Sequence, residues 1–375
     1  MSSWRTQNTY FFLFNVGRGL CSFIRLPIGT GILYDIGKSS EFKPLEFIEN
    51  NILPKLTHQD FKLGQIIFSH PHVDHIADID YLKEHWEDTF NPRLLTCPHD
   101  KEPIEEYEDE RIDWNRVNNP TTEFAANVIE IYKSLYEKRN LPLQTIRYEG
   151  SRYIPNLEYG IFYVRPPICE ELFPTDDQKY TNSTSLVLWY RHGNNTLLLP
   201  GDITPEALEI ILNEEEGTEK RFSLLQKSKM DEHPDWHKKT SDQPSLKSLL
   251  EEHGLSILVA PHHGLESGFS EELYETIKGG KPDLVLISEK RHTGQNDGQV
   301  ASKYQSSEGA NGLTVNIEKV DDSGEIYTEE EERYSLSTRN NHHILVVFKS
   351  SGKPEVYARK DPEELIEIIE SNYES

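Results

Sequence analysis

The chain has 375 residues, with 39 Lys and Arg against 64 Asp and Glu, for a net charge of −25. That balance argues against tight, non-specific attachment to a phosphate backbone, which needs clustered Lys and Arg to release counterions. It does not exclude a nuclease, because metal ions and a local basic groove can carry the phosphate, and a basic partner protein could supply missing charge. The hydrophobic fraction, 35 %, is low for a globular chain and predicts a modest core with long polar excursions. Three cysteines, Cys21, Cys97 and Cys169, lack paired spacing, so neither a disulfide framework nor a zinc knuckle is expected and a reduced, cytoplasmic setting fits. No secretory signal pattern follows Met1, and no apolar run of about 18 residues is present, so no membrane association is expected.

Residues 9 to 16 and 20 to 26 read as a hairpin across Gly17-Arg18-Gly19, with the glycines as the turn signal. A strand from Ile32 to Ile36 ends at Asp35-Ile36-Gly37, and Leu45 to Leu53 reads as a helix. The apolar run Gln65-Ile66-Ile67-Phe68 is too short for a helix and reads as a buried strand. It delivers Ser69-His70-Pro71-His72-Val73-Asp74-His75. A helix is predicted from about His75, because Ile76, Ile79 and Leu82 recur at helical spacing. A strand that ends in a tight turn before a helix is where α/β sheets place ligands.

Imidazole and carboxylate are the usual ligands of zinc and similar divalent ions. His70 and His72 alternate, so in an extended segment they point the same way. Asp74 and His75 follow at the turn and can serve a second centre. Two further strands end in the same residue types: Asn195 to Leu199 leads to Gly201-Asp202, and Ser256 to Ala260 leads to His262-His263-Gly264. Three strands ending in His or Asp point to one site assembled at one rim.

The remaining segments are less marked. Thr122 to Lys138 reads as a helix with Phe124, Val128, Ile131 and Leu135 on one face. A helical insertion over 98–140 is therefore expected to overhang the site. The strands Asn182 to Leu188 and Asn195 to Leu199 are joined through His192-Gly193-Asn194-Asn195, which puts His192 on the surface. A charged excursion over 213–245 carries His233 and His237 with Asp231 and Asp235, read as a solvated loop. Residues 289–333 are polar and rich in Gly, Ser, Asn and Asp, with a basic group at Lys290, Arg291 and His292 and an acidic run at Glu329 to Glu332. His342 to Phe348 reads as the closing strand. Asp361-Pro362-Glu363-Glu364 has the cap, proline and acids of a helix start.

The HxHxDH motif, followed by a strand ending in Gly-Asp and a strand ending in His-His-Gly, resembles the metallo-β-lactamase-fold hydrolases. Within them the chain resembles the ComEC-like branch, the hydrolase domain of competence DNA-uptake proteins. Phe14-Asn15-Val16-Gly17-Arg18-Gly19 resembles its F-x-VGQG opening, and Gly31 to Gly37 its LIDxG strand. Asn182 to Leu188 resembles its N-x-x-SLVL strand, and Ser337 to Asn341 the T-x-R-x-G run before its last strand. The resemblance spans roughly residues 9 to 348. It departs at Ala77-Asp78, where relatives often have Gly-Gly. It also departs between HxHxDH and Gly-Asp, where many relatives supply a further metal-binding histidine. His99 is poorly placed for that role, and Asn182 stands nearest the equivalent position.

The resemblance implies an αββα sandwich of the α/β (α+β) class over 1–350, with insertions at 98–140, 213–245 and 289–333, and a helical extension over 351–375. It implies a dinuclear Zn2+ centre, or Mn2+, and hydrolysis of a phosphodiester by a metal-bound hydroxide. His70 and His72 would hold one ion. Asp74, His75 and His263 would hold the other, and Asp202 would bridge them. Asp74 and His263 are the expected catalytic residues. His263 is the ligand by its spacing from Pro261, with His262 the alternative; otherwise His262 contacts substrate or metal-bound water. Asp35 and Asn182 are expected around the ligands, and Ser288, with Asn296, facing substrate. A small phosphodiester such as a cyclic nucleotide, a lactone or thioester, and a partner-dependent, possibly defence-related subunit with little activity alone remain alternatives.

Overall fold

The computed structural model describes residues 7–58, 62–92, 94–98, 113–114, 116–117, 122–136, 157–214, 218–224, 244–289 and 300–374. His99, Asp231, His233, Asp235, His237, Lys290, Arg291, His292 and Asn296 lie outside the described residues. Among the described residues no helix is long and apolar enough to cross a membrane.

The chain opens with an antiparallel meander, β1 (Thr9–Leu13), β2 (Cys21–Arg25) and β3 (Gly31–Ile36). Helices α1 (Pro44–Phe47) and α2 (Leu53–Leu56) are joined by a wider π turn over Ile48–Ile52. The π turn comes just before Pro54, which has no N–H to continue a regular helix. β4 (Leu63–Ile67) then runs parallel to β3. After it come α3 (Val73–Ile76), α4 (Ile79–Glu84) and β5 (Leu94–Thr96). Helix α5 (Glu123–Tyr136) packs on α3 and α4. Val128, Ile131 and Leu135 are buried as their spacing predicts, joined by Tyr132. Phe124 is 49 % exposed, because its turn lies beyond the core.

The second half contributes β6 (Leu157–Val164), α6 (Pro166–Leu172), α7 (Asp177–Ser183), β7 (Val187–His192), β8 (Asn195–Leu199), α8 (Pro205–Asn213) and β9 (Thr218–Leu224). It continues through α9 (Leu246–His253), β10 (Ile257–Val259), α10 (Glu271–Thr276), β11 (Leu284–Ile287), β12 (Leu313–Val320), β13 (Ile326–Arg333) and β14 (Ser335–Ser337). The chain ends with β15 (His343–Phe348), β16 (Glu355–Arg359) and α11 (Pro362–Glu374).

The strands form two mixed sheets, ordered β13-β12-β16-β15-β1-β2-β3-β4-β5 and β14-β11-β10-β8-β7-β6-β9. Phe11, Leu13, Ile24 and Val346 of the first sheet share one buried cluster with Leu188, Leu197, Ile257 and Leu286 of the second. Tyr10, Phe12 and Phe23 point the other way, into a cluster with Leu45, Ile48, Ile366 and Ile369 of the covering helices. On the far side Trp189, Leu198 and Leu258 belong with Leu208, Ile211 and Leu250. The architecture is the expected αββα sandwich, one apolar layer between the sheets and one outside each.

Five segments differ from their sequence reading. Asn182 is in helix α7, not a strand; Asp176 caps that helix by accepting from the Lys179 amide, and the strand begins at Val187. His192 is buried, not on the surface, because β7 continues through it and pairs it with Asn195. Parts of the polar excursions are sheet: Thr218–Leu224 is an edge strand, and Leu313–Val320 with Ile326–Arg333 form a hairpin. The acidic run Glu329 to Glu332 lies on that hairpin's outer strand, largely exposed as a solvated face should be. His343–Phe348 does not close its sheet, since β16 lies between it and β12.

Candidate metal centre

β3 and β4 are parallel, and so are β8, β10 and β11. Their C-terminal ends meet at one rim where the two sheets adjoin. The junction is tied by the Leu186 N–H to the Ser69 carbonyl (2.9 Å), and within the second sheet the His262 N–H donates to the Gly201 carbonyl (3.1 Å), joining the turns after β10 and β8. The turn at Asp74 is wedged between two glycines. A Cβ on Gly19 would sit 2.2 Å from the Asp74 carbonyl oxygen, and one on Gly37 would sit 2.3 Å from it. Gly19 therefore serves a close backbone approach as well as the hairpin turn.

Two groups at this rim could hold a metal ion. His70, His72 and Asp202 form one, and Asp74, His75 and His263 the other; in each, the donor atoms lie within 4.8 Å of one another. Asp202 faces both. Its Oδ1 is 3.2 Å from His75 Nε2, and its Oδ2 is 3.9 Å from His70 Nε2 and 3.6 Å from His263 Nε2. Asp74 Oδ2 lies 3.4 Å from His263 Nε2. His70 Nε2 and His72 Nδ1 are 2.9 Å apart. His70, His75, Asp202 and His263 are buried, while His72 and Asp74 are half-buried and face the opening.

Asp35 and Ser69 stand behind the ligands. Asp35 Oδ2 is 2.7 Å from His75 Nδ1, and the Ser69 amide and hydroxyl both donate to the Asp35 carboxylate at 2.6 Å. Ser69 Oγ also lies 3.0 Å from His70 Nδ1 and 3.3 Å from His75 Nδ1. In the sequence nothing marks Ser69 except its place directly before the first histidine. Ser288 supports His263: its carbonyl is 3.1 Å from His263 Nδ1, and its hydroxyl donates to the Gly19 carbonyl at 2.6 Å. Asn182 is buried with its Oδ1 unpaired, one turn before Ser185, whose Oγ accepts from the Asp202 amide. His262 Nε2 is 4.0 Å from Asp202 Oδ2.

Backbone strain concentrates here. Among the described residues, Asp35, His262 and His263 are three of five non-glycine residues with left-handed φ, at 56°, 50° and 57°. Such conformations persist where surrounding contacts over-determine them, often at functional sites.

The electrostatics divide the histidines. Burial holds His70 well below its ordinary range, reinforced by His75 and His72. Burial likewise lowers His72, to about 4. Burial also pushes His75 down, but Asp202 and Asp35 outweigh it and the net shift is upward. For His263, Asp202 and Asp74 again outweigh burial. Burial raises the Asp74 and Asp202 carboxyls, and the histidines around them pull both below their usual range. A divalent cation would neutralise the same two carboxylates and release protons from these histidines.

The donor set fits such an ion. The Nε2 atoms of His72, His75 and His263 are buried without a hydrogen-bond partner, unusual for buried polar atoms unless something else completes them. His75 and His263 each have the opposite ring nitrogen anchored, the arrangement that orients a metal-ligating imidazole.

No curated protein matches the chain. Residues 15–117, the stretch that carries Asp35 and the motif from His70 to His75, match the family model of the metallo-beta-lactamase superfamily.

Proposed function

We propose that this protein is a metal-dependent phosphodiesterase or nuclease, with two divalent ions, zinc or manganese, held by the two ligand groups. The position of Asp202 carries the reading: one carboxylate reaches a histidine of each group, with Oδ1 toward His75 and Oδ2 toward His70. Paired ions at such a site lower the pKa of water toward about 7 and stabilise both the attacking and the leaving oxygen of an in-line displacement. The protein's own contribution begins with Asp202, which fixes the spacing of the two groups. Asp74, half-buried at the opening, is positioned to take up the proton that the attacking water gives up. His263 steadies Asp74 Oδ2 from 3.4 Å, and Asp35 and Ser69 keep the His75 ring in one orientation. The buried faces of His70 and His75 keep bulk water from the back of the site.

Net charge favours one substrate class. At −25 the chain would repel a long polyanion unless basic charge is supplied locally or by a partner protein. A small phosphodiester, such as a cyclic nucleotide, is therefore favoured over bulk nucleic acid. The buried cysteines Cys21, Cys97 and Cys169, which form no disulfide with one another, suit a reducing, cytoplasmic setting.

The test is metal content together with hydrolysis of bis-p-nitrophenyl phosphate, a cyclic dinucleotide, and single- and double-stranded DNA, for the wild type and Asp74→Ala. Metal-dependent cleavage that Asp74→Ala loses while keeping its fold is the expected result. Full activity in Asp74→Ala, or a wild type that takes up no metal, would defeat the reading.

A further inference from the structure

The two ligand groups are unequal in number. Each group brings three side chains together, but Asp202, grouped with His70 and His72, also stands 3.2 Å from His75 and 3.6 Å from His263; counted in both, it gives four side chains at Asp74, His75 and His263 against three at His70 and His72. The stretch between His75 and Asp202 has only His85, His99 and His192 to offer. His85 is engaged with Glu49, its Nδ1 3.2 Å from the Glu49 carboxylate. His192 is at the far end of β7 beside Thr9, its Nδ1 3.1 Å from the Thr9 hydroxyl, and His99 is outside the described residues.

His262 Nε2 lies 4.0 Å from Asp202 Oδ2, against 3.9 Å for His70 Nε2. The two rings thus approach the same carboxylate oxygen at nearly the same distance. His262 Nδ1 is held by the Ser267 hydroxyl at 3.0 Å, so the ring has one anchored nitrogen and one directed at the site, as a ligating histidine does. Its amide donates to the Gly201 carbonyl, which ties it to the turn that carries Asp202. Its backbone is left-handed, φ 50° and ψ 48°, a conformation that a surface histidine has no reason to keep. Gly268 packs against it so closely that a Cβ there would be 2.8 Å from the His262 Cβ.

We propose that His262 is a fourth protein ligand of the ion held by His70, His72 and Asp202, and that Ser267 is the residue that orients it. The His262-His263 pair then serves both ions, one ring each, from consecutive left-handed residues. This rests on the metal-dependent reading above.

The experiment is metal binding, not turnover. The full chain is stripped with chelator and titrated with zinc by competition calorimetry, and the metal retained after dialysis is counted by plasma mass spectrometry. The wild type should hold two ions. His262→Ala should keep the ion at Asp74, His75 and His263 with unchanged affinity. Its other ion should weaken by more than the roughly 10- to 100-fold typical of losing an outer partner. Ser267→Ala should weaken that same ion, within that 10- to 100-fold range. Wild-type affinity at both sites in His262→Ala, with or without lost turnover, would overturn the inference and leave the metal-dependent reading standing. A wild type that binds no zinc would instead remove that reading. If His262→Ala fails to fold, judged by its thermal midpoint, Ser267→Ala decides: unchanged affinity for both ions overturns the assignment.

Discussion

Asp74, His75 and His263 are each held from behind. Asp35 grips His75, the Ser288 carbonyl faces His263, and Gly19 and Gly37 wedge the Asp74 turn. His70 and His72 have less support: His70 meets the Ser69 hydroxyl, and the two imidazoles lean on each other across 2.9 Å. Orientation set by outer hydrogen bonds is what fixes ring tautomer and ligand basicity. The difference therefore teaches that the two halves of the rim should not bind alike. The half at Asp74 is built to retain its ion, and the half at His70 depends on the shared Asp202 and on whatever else reaches it.

The largest effect should come from Asp202, the carboxylate that both halves share. In Asp202→Ala the ion at His70 should be lost, the ion at Asp74 should be weakened but retained, and turnover should fall to background, as measured by plasma mass spectrometry and an ester assay. Equal loss of both ions would show that the halves do not differ in support. Gly19→Ala acts on the supported half alone. Its new Cβ would be 2.2 Å from the Asp74 carbonyl oxygen at φ 134°, a conflict with backbone that no flexible side chain can relieve. We expect a loss of about 1–3 kcal/mol from the strained backbone alone, read as a lower denaturant midpoint, with the ion at Asp74 weakened more than the other. Asp35→Asn is milder, because it keeps the shape but changes what His75 Nδ1 faces. It should weaken the ion at His75 by about 10- to 100-fold. Titration calorimetry should show the other ion shifting less, since Asp35 reaches His70 only through Ser69. Equal weakening of both ions would erase the proposed asymmetry.

The asymmetry explains which parts of the molecule could be read in advance. The strand-to-ligand junctions at Phe68, Leu199 and Val259 were legible because a short apolar run followed by His or Asp marks a buried strand entering a polar turn. All six residues expected as metal ligands converge at one rim. The support was less legible. The left-handed backbone of His262 and His263 leaves no mark in residue type, and the role of Ser69 depends on an aspartate 34 positions away. Gly193 marks His192 as a turn residue, whereas the structure buries it against Thr9, 183 positions distant. Strand β13 reads as solvated because three of its four glutamates are exposed, with Glu331 half-buried, on a sheet edge paired with β12. Its partner β12 did carry the signal, with Leu313, Val315 and Ile317 buried at period two. Strand β16 is only five residues long and follows a Gly-Lys-Pro turn, so its place inside the sheet is set by β15 and β12 on either side.

The smallest expected effect separates two kinds of buried histidine. Those at the supported half face carboxylates and are pulled upward. His343 faces no carboxylate among the described residues: burial, then the neighbouring His342, lowers it to about 4. Its ring packs against Phe14 and Phe42, and its Nδ1 accepts the Asn15 amide at 3.2 Å. Protonating Nδ1 would remove that acceptor and charge an apolar site. In the unfolded chain an ordinary histidine titrates near 6.5. Between about 6.5 and about 4 the unfolded state therefore takes up a proton that the folded state refuses, and stability rises with pH across that window. The contribution of His343 is complete above about 6.5 and is lost as pH falls through about 4. Thermal midpoints of the chelated protein should decline over this range, and His343→Gln, which keeps an acceptor but cannot be protonated there, should show a shallower decline. A slope unchanged by that substitution would mean that the acid sensitivity of the fold comes from other buried groups, His192 first among them, since it too is lowered to about 4 by burial.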